Sequence, residues 1–110
     1  MNCSSVRIIQ TLSLVCVLVF LVGASTRADD SASLFKAKCS VCHGADGSGN
    51  TAMGKSLKIP DLGSPAVQKQ TDAQLTEMIS SGKGAMPSYK TKLTEAQIKS
   101  LVAYIRTLKK

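Results

Sequence analysis

The chain contains no tryptophan, one histidine, two phenylalanines and two tyrosines among its 110 residues. So little aromatic content leaves a small domain short of core material, because aromatic side chains bury the largest apolar areas. A domain of this size often needs a disulfide, a metal or a large cofactor as a staple. The lone histidine, His43, restricts the choice. A structural zinc takes four ligands, and after Cys39, Cys42 and His43 no further Cys or His follows. Strand-like alternation is absent along the chain, which excludes a βαβ unit and the redox context it gives a Cys pair. Acidic residues are scarce as well: seven Asp and Glu stand against fourteen Lys and Arg, a formal charge of +7. The excess is lysine spread along the chain, with no basic stripe interleaved with aromatics, so nucleic-acid binding is set aside. An acidic docking partner or an anionic membrane surface suits the charge better. Plain solvation of the surface is its simplest use.

Long apolar runs are also missing, with one exception. Residues 12–22 carry a single hydroxyl, and the nearest charges are Arg7 before them and Arg27 after. A charged start, a short apolar run and a small-residue exit describe a secretory signal peptide. The run is short for a membrane span of about 20 residues. Cleavage after Ala28 is preferred and cleavage after Ala24 is the alternative. The chain therefore divides into a signal peptide, 1–28, and one domain, 29–110. An uncleaved anchor tethering the domain to the membrane is the rival. Cys16 does not mark a lipoprotein, because Leu14 and Val15 before it are too bulky. Cys3 and Cys16 leave with the leader.

The domain keeps Cys39 and Cys42, in Cys39-Ser40-Val41-Cys42-His43. C-x-x-C-H is the attachment signature of a c-type haem. Two thiols three residues apart can reach the two vinyl groups of one haem and form thioethers. The adjoining imidazole is then carried under the iron as an axial ligand. Covalent attachment matters for an exported protein, since a lost haem would diffuse away. A stapling disulfide is the plain alternative in an exported chain, but it gives His43 no role.

Helical spacing and caps organise the rest. Ser31 to about Cys42 reads as a first helix, capped by Asp30 or Ser31. Residues 44–50 form a turn-rich loop. They echo the start of a calcium loop, but Thr51 and Leu57 stand where its Gly and Glu are required. Ser64-Pro65 can open a short helical turn. Thr71 and Gln74 form a capping box for a helix running to about Ser81, with Leu75, Met78 and Ile79 on one face and Gly82 ending it. Thr94 and Gln97 form a second box, flanked by a Leu93–Ile98 staple. Ile98, Leu101, Val102, Ile105 and Leu108 continue as a stripe, and Lys109 and Lys110 suit the helix C-terminus. The expected fold is all-α, three main helices with loops long enough to wrap a large group.

An electron carrier benefits from an iron with both axial positions filled by protein. Met53, Met78 and Met86 are candidates for the second; a lysine would have to lose its proton. Met78 sits on the helical stripe, where core filling explains it. Met53 is only ten residues past His43, close for reaching the opposite face of the macrocycle. Met86 follows Gly82-Lys83-Gly84, where backbone can approach the ring, and Pro87 stiffens the chain beside it. Met86 is the assignment.

These residues together resemble a class I cytochrome c, similar to the short bacterial carriers and to the algal and cyanobacterial photosystem I donor type. The likeness covers residues 31–110. It rests on Cys39-Ser40-Val41-Cys42-His43-Gly44, on Gly82-Lys83-Gly84-Ala85-Met86-Pro87, and on Leu101-Val102-Ala103-Tyr104-Ile105. It implies the class I fold wrapped around one covalent haem c, with the last helix crossing the first near Ser31 and Phe35. It also implies that the Pro60 carbonyl accepts a hydrogen bond from His43 Nδ1, and that Tyr89 packs near the haem edge.

The expected function is a periplasmic carrier of single electrons, a monomer and not an enzyme. Its partners would be redox proteins with acidic docking surfaces, met by Lys36, Lys38, Lys55, Lys83 or Lys90 around the haem edge. The alternatives are a haem peroxidase or gas-binding protein, which needs an open or labile iron position, and a membrane-tethered electron-entry subunit. A hollow lined by Cys39, Cys42, His43, Pro60 and Met86 is predicted.

Overall fold

The computed structural model describes residues 26–110. The expected leader lies almost wholly outside them; only residues 26–28 fall within, at the start of the first described helix. Six helices follow in order: α1 Thr26–Lys38, α2 Ser40–His43, α3 Ala52–Ser56, α4 Pro65–Gln68, α5 Asp72–Ser81 and α6 Glu95–Thr107. No strand occurs among the described residues; Lys83 and Met86 form one isolated bridge. The fold is all-α, with α1, α5 and α6 as its main helices.

α1 starts earlier than expected, so Asp30 and Ser31 lie inside it and do not cap it. The helix also fails to run on to Cys42. The Ser40 hydroxyl donates to the Lys36 carbonyl at 2.6 Å, and this local competition goes with a break at Cys39. α2 then restarts as a separate turn carrying Cys42 and His43.

Both capping boxes form as expected. Thr71 accepts from the Gln74 N–H and the Gln74 side chain accepts from the Thr71 N–H; Thr94 and Gln97 repeat the pattern. The α6 stripe is buried at Ile98, Leu101, Val102 and Ile105. It joins Phe35, Leu62, Val67, Leu75, Ile79 and Leu93 in one core. α6 packs on α1, where Phe35 meets Tyr104 with ring centroids 5.1 Å apart. Ser31, one turn before Phe35, is buried too.

Two polar clasps hold the connections to this core. Gln68 Nε2 donates to the carbonyls of Leu62 (2.8 Å) and Ile105 (3.0 Å). Arg106 donates to Asp72 Oδ1 and to the carbonyls of Gln68 and Gln70. The loop from Leu62 to Asp72 is thereby fixed along α6.

α3 was not expected. Thr51 caps it by accepting from the Gly54 N–H at 2.8 Å, while its hydroxyl donates to the Cys42 carbonyl at 3.0 Å. Gly54 sits where helix and loop backbones meet: a Cβ there would stand 2.2 Å from the Gly49 carbonyl oxygen and 2.6 Å from that of Cys42. Those neighbours are backbone and cannot swing aside. Gly54→Ala should destabilise the holoprotein by about 3 kcal/mol, the upper part of the range for overpacking. Thermal unfolding followed at the haem band measures it; an unchanged midpoint would show that the α2–α3 contact is looser than described.

Candidate haem-binding site

A cavity of about 440 Å³ opens between the α1–α2 junction, the loop after α3, the cavity-facing side of α5 and the segment after α5. Cys39, Cys42, His43, Pro60, Met86 and Tyr89 all line it. The structure thus brings together all six residues singled out from the sequence.

Each is positioned by identifiable local chemistry. Cys42 and His43 ride on α2, held from below by the Thr51 hydroxyl at the Cys42 carbonyl and by the Gly49 N–H, which donates to the His43 carbonyl at 2.7 Å. Pro60 is presented by a helix C-terminus of the Schellman kind. The Ile59 N–H donates back to Gly54 and the Lys58 N–H to Lys55. The left-handed position of that motif, usually Gly, is filled by Lys58 with φ 52°, a cost of roughly 1–2 kcal/mol for an L-residue. Met86 is fixed by reciprocal bonds: Lys83 N–H to Met86 carbonyl at 3.1 Å and Met86 N–H to Lys83 carbonyl at 3.0 Å. Gly82 (φ 70°) permits this strap, since a Cβ there would lie 2.4 Å from the Met86 carbonyl oxygen. Its glycine is needed for close packing of the chain on itself. Tyr89 donates its hydroxyl to the Lys38 carbonyl at 3.0 Å, tying the strap to the end of α1.

Two expectations about the methionines separate. Met53 is 47% exposed on α3 and does not line the cavity. Met78 does line it, and it is half-buried and outside the core cluster. Core filling therefore misdescribes Met78: α5 turns Leu75 and Ile79 into the core and leaves Met78 towards the hollow. Among the lysines, Lys38 and Lys83 line the cavity as expected, Lys58 does so unexpectedly, and Lys36, Lys55 and Lys90 do not. Leu57, Ile59, Leu62, Val67 and Leu75 supply the apolar wall. Periodicity picked out Leu75 alone, since most of the others lie in loops whose shape depends on α3.

The donor set suits a haem. Cys39 and Cys42 are free thiols. Burial, reinforced by the neighbouring Cys42, pushes the Cys39 thiol up to about 11. That is opposite to the stabilised thiolate of a reactive redox cysteine. Burial also holds the His43 imidazole below its usual range, favouring the neutral form that ligates metal. His43 Nδ1 is buried without a hydrogen-bond partner, so the expected bond to the Pro60 carbonyl is not made here. An orphaned buried polar atom costs about 1–3 kcal/mol, which marks the ring as shaped for something besides the apoprotein.

All-helical packing around one cavity, with a C-x-x-C-H turn on its wall, defines a class I monohaem c-type cytochrome. The family model described as "Cytochrome C oxidase, cbb3-type, subunit III" matches residues 26–105. A cytochrome c6 from a Synechococcus is 36% identical, covering 88% of this chain and 86% of that protein. The cbb3-type cytochrome c oxidase subunit FixP of Azorhizobium caulinodans is 31% identical over 78% of this chain, which spans only 29% of that subunit's length. The solved structure of the KustC0563 c-type cytochrome superposes with a TM-score of 0.68 at 33% identity, covering 73% of this chain and 98% of that one. This chain belongs to the c-type cytochrome family, with covalently bound haem c as its cofactor and electron transfer as its work.

Replacing Cys39 or Cys42 by Ala should leave at most one thioether and sharply lower the yield of holoprotein. Without haem the small core should not melt cooperatively. A well-folded, cooperatively melting apoprotein would show that the cofactor's structural role is smaller than stated.

Proposed function

We propose that this chain is an exported carrier of single electrons, with Cys39 and Cys42 holding the haem, and His43 and Met86 as its axial ligands. The observation that carries the reading is the convergence of those four residues on one cavity, with the His43 Nδ1 buried and unpartnered. The haem, when bound, supplies the one-electron redox centre; sulfur ligation would raise its potential. The protein's part is to hold both ligands still. Thr51 and Gly49 brace the turn carrying His43, and the Lys83–Met86 bridge braces Met86. In the loaded protein the Pro60 carbonyl is the natural acceptor for His43 Nδ1–H, fixing the ring and raising its donor strength. Tyr89 closes the edge of the cavity beside Lys38.

The surface around the Cys pair suits a partner protein. Val41 is 72% exposed between the two cysteines, and Met53 and Leu57 are exposed on the neighbouring α3 and just beyond it. Lys38, Lys58 and Lys83 border the cavity. An apolar contact flanked by cations fits a redox partner with an acidic docking surface.

A peroxidase or gas-binding role needs a free iron position, which an axial Met86 would fill. Met86→Ala should abolish the sulfur-to-iron absorption band, lower the potential and allow carbon monoxide to bind the reduced protein at neutral pH. If Met53→Ala or Met78→Ala produces those changes instead, the ligand assignment fails. If the unaltered protein already binds carbon monoxide, the carrier reading gives way to gas binding.

Charge steering predicts that association with a redox partner slows steeply between 0.01 M and 0.15 M salt, as the Debye length falls from about 30 Å to about 8 Å. Charge reversal at Lys38, Lys58 or Lys83 should slow it further at low salt and matter little at high salt, with the haem spectrum unchanged. A rate flat across that range would mean the lysines serve solubility alone.

A second reading has its own support, from the cbb3-type family model and the FixP match: a tethered electron-entry subunit. No helix among the described residues is long and apolar enough to cross a membrane, and residues 12–22 lie outside them. The intact mass of the protein from its native host separates the two. Loss of the leader supports the free carrier; its retention in a membrane fraction supports the tethered subunit.

A further inference from the structure

Gln70, Met78 and Lys83 line two spaces at once. One is the haem cavity; the other is a more open groove along the outer side of α5. Ala73, Gln74, Glu77, Ser81 and Gly82 make the rest of that groove, which stands open to solvent. Gln70 and Lys83 are themselves hydrophilic, so they do not keep water back. Met78 is the apolar side chain in the shared wall. It is half-buried, outside the core cluster, and three residues from Leu75, which also lines the cavity. One turn beyond Met78, Gly82 donates its N–H to the Met78 carbonyl at 2.9 Å and packs directly beneath Met86. The wall between groove and cavity is therefore one side chain thick, at the end of the cavity that holds the Met86 strap.

We propose that Met78 is a positioning residue that seals the Met86 side of the haem cavity against water and small solutes from the groove. The inference rests on the reading of Met86 as axial ligand. An unbranched thioether fills an irregular gap well, and the apolar shell around a metal site controls its solvent access, local dielectric and potential. Here the bulk of the side chain matters and its sulfur does not.

The test uses the holoprotein and a graded series, Met78→Leu, Met78→Val and Met78→Ala. Two quantities are read: the rate at which imidazole binds the oxidised protein, and the reduction potential. Met78→Leu should stay near the unaltered protein. Met78→Val should bind imidazole faster, and Met78→Ala faster still, on the order of tenfold. The potential should fall in the same order, and the sulfur-to-iron band should persist in all three because Met86 is intact. If Met78→Ala accumulates too little holoprotein, Val against Leu still decides. Unchanged rates and potential along the series overturn the seal and leave Met86 standing. A Leu variant as leaky as Ala overturns it too, since sulfur would then be the active feature. Loss of the band in Met78→Ala with its survival in Met86→Ala removes the ligand assignment, and the seal with it.

Discussion

Everything in this molecule depends on holding a short turn rigid at the edge of a hollow. The α2 turn carries Cys42 and His43 but contributes no buried residue of its own to the core. Its stiffness comes from backbone groups, joined directly or through the Thr51 hydroxyl. Thr51 bridges the Cys42 carbonyl and the Gly54 N–H, Gly49 donates to His43, and Gly54 lets the chains come within a distance that any Cβ would forbid. Such contacts are short, directional and nearly free of side-chain entropy. They do for a loop what packing does for a long helix. The loop of residues 44–63 is thus better understood as a cradle for one turn than as a connection.

The remaining packing follows from where the hollow is. A chain this poor in aromatics concentrates its core on one side, at the α1–α6 crossing, where Phe35 and Leu101 are each 1% exposed. Phe35 also approaches His43, with ring centroids 6.5 Å apart, so the core reaches the imidazole ring directly. On the other side of the hollow, α5 enters the same core through Leu75 and Ile79, and Met86 and Tyr89 pack against it. Caps, the Gly82 contact and hydrogen bonds from Tyr89 to the Ile79 carbonyl and the Lys38 carbonyl hold the strap besides. Both walls of the cavity are therefore anchored in core, and the strap's wall in polar bonds as well. Filling the space between them with a large apolar group would contribute burial that neither wall obtains alone.

The parts that were legible in the sequence are those whose chemistry is local. Both capping boxes, the α6 stripe, the Gly82 stop and the C-x-x-C-H turn each need only neighbours within a few residues, and each is found in its place. What escaped depends on contacts across the chain. α3 was hidden because Gly54 reads as a helix breaker until its approach to Gly49 and Cys42 is seen. The break at Cys39 goes with a hydroxyl, that of Ser40, bonding the Lys36 carbonyl. Met78 was read by its period as a core residue, because a helical stripe cannot reveal that part of the face it covers is empty space. Lys58 entered the cavity wall through a left-handed turn that no propensity would assign to lysine.

Charge completes the picture by its distribution. The acids that form ion pairs sit away from the cavity wall: Glu95 with Lys99, Asp72 with Arg106, and Asp61 with Lys110. Among the described residues lining the cavity there is no Asp or Glu, while Lys38, Lys58 and Lys83 are all there. Exposed pairs of this sort contribute at most about 1 kcal/mol each, so the segregation matters little to stability. It matters to the field. Cations with carboxylate partners project little beyond a few ångströms, whereas Lys38, Lys58 and Lys83, which are in none of these ion pairs, keep more of their potential at the cavity mouth. Under the carrier reading proposed above, an acidic partner approaching by diffusion would be turned by these lysines before any contact forms, towards the face where Cys39 and Cys42 lie.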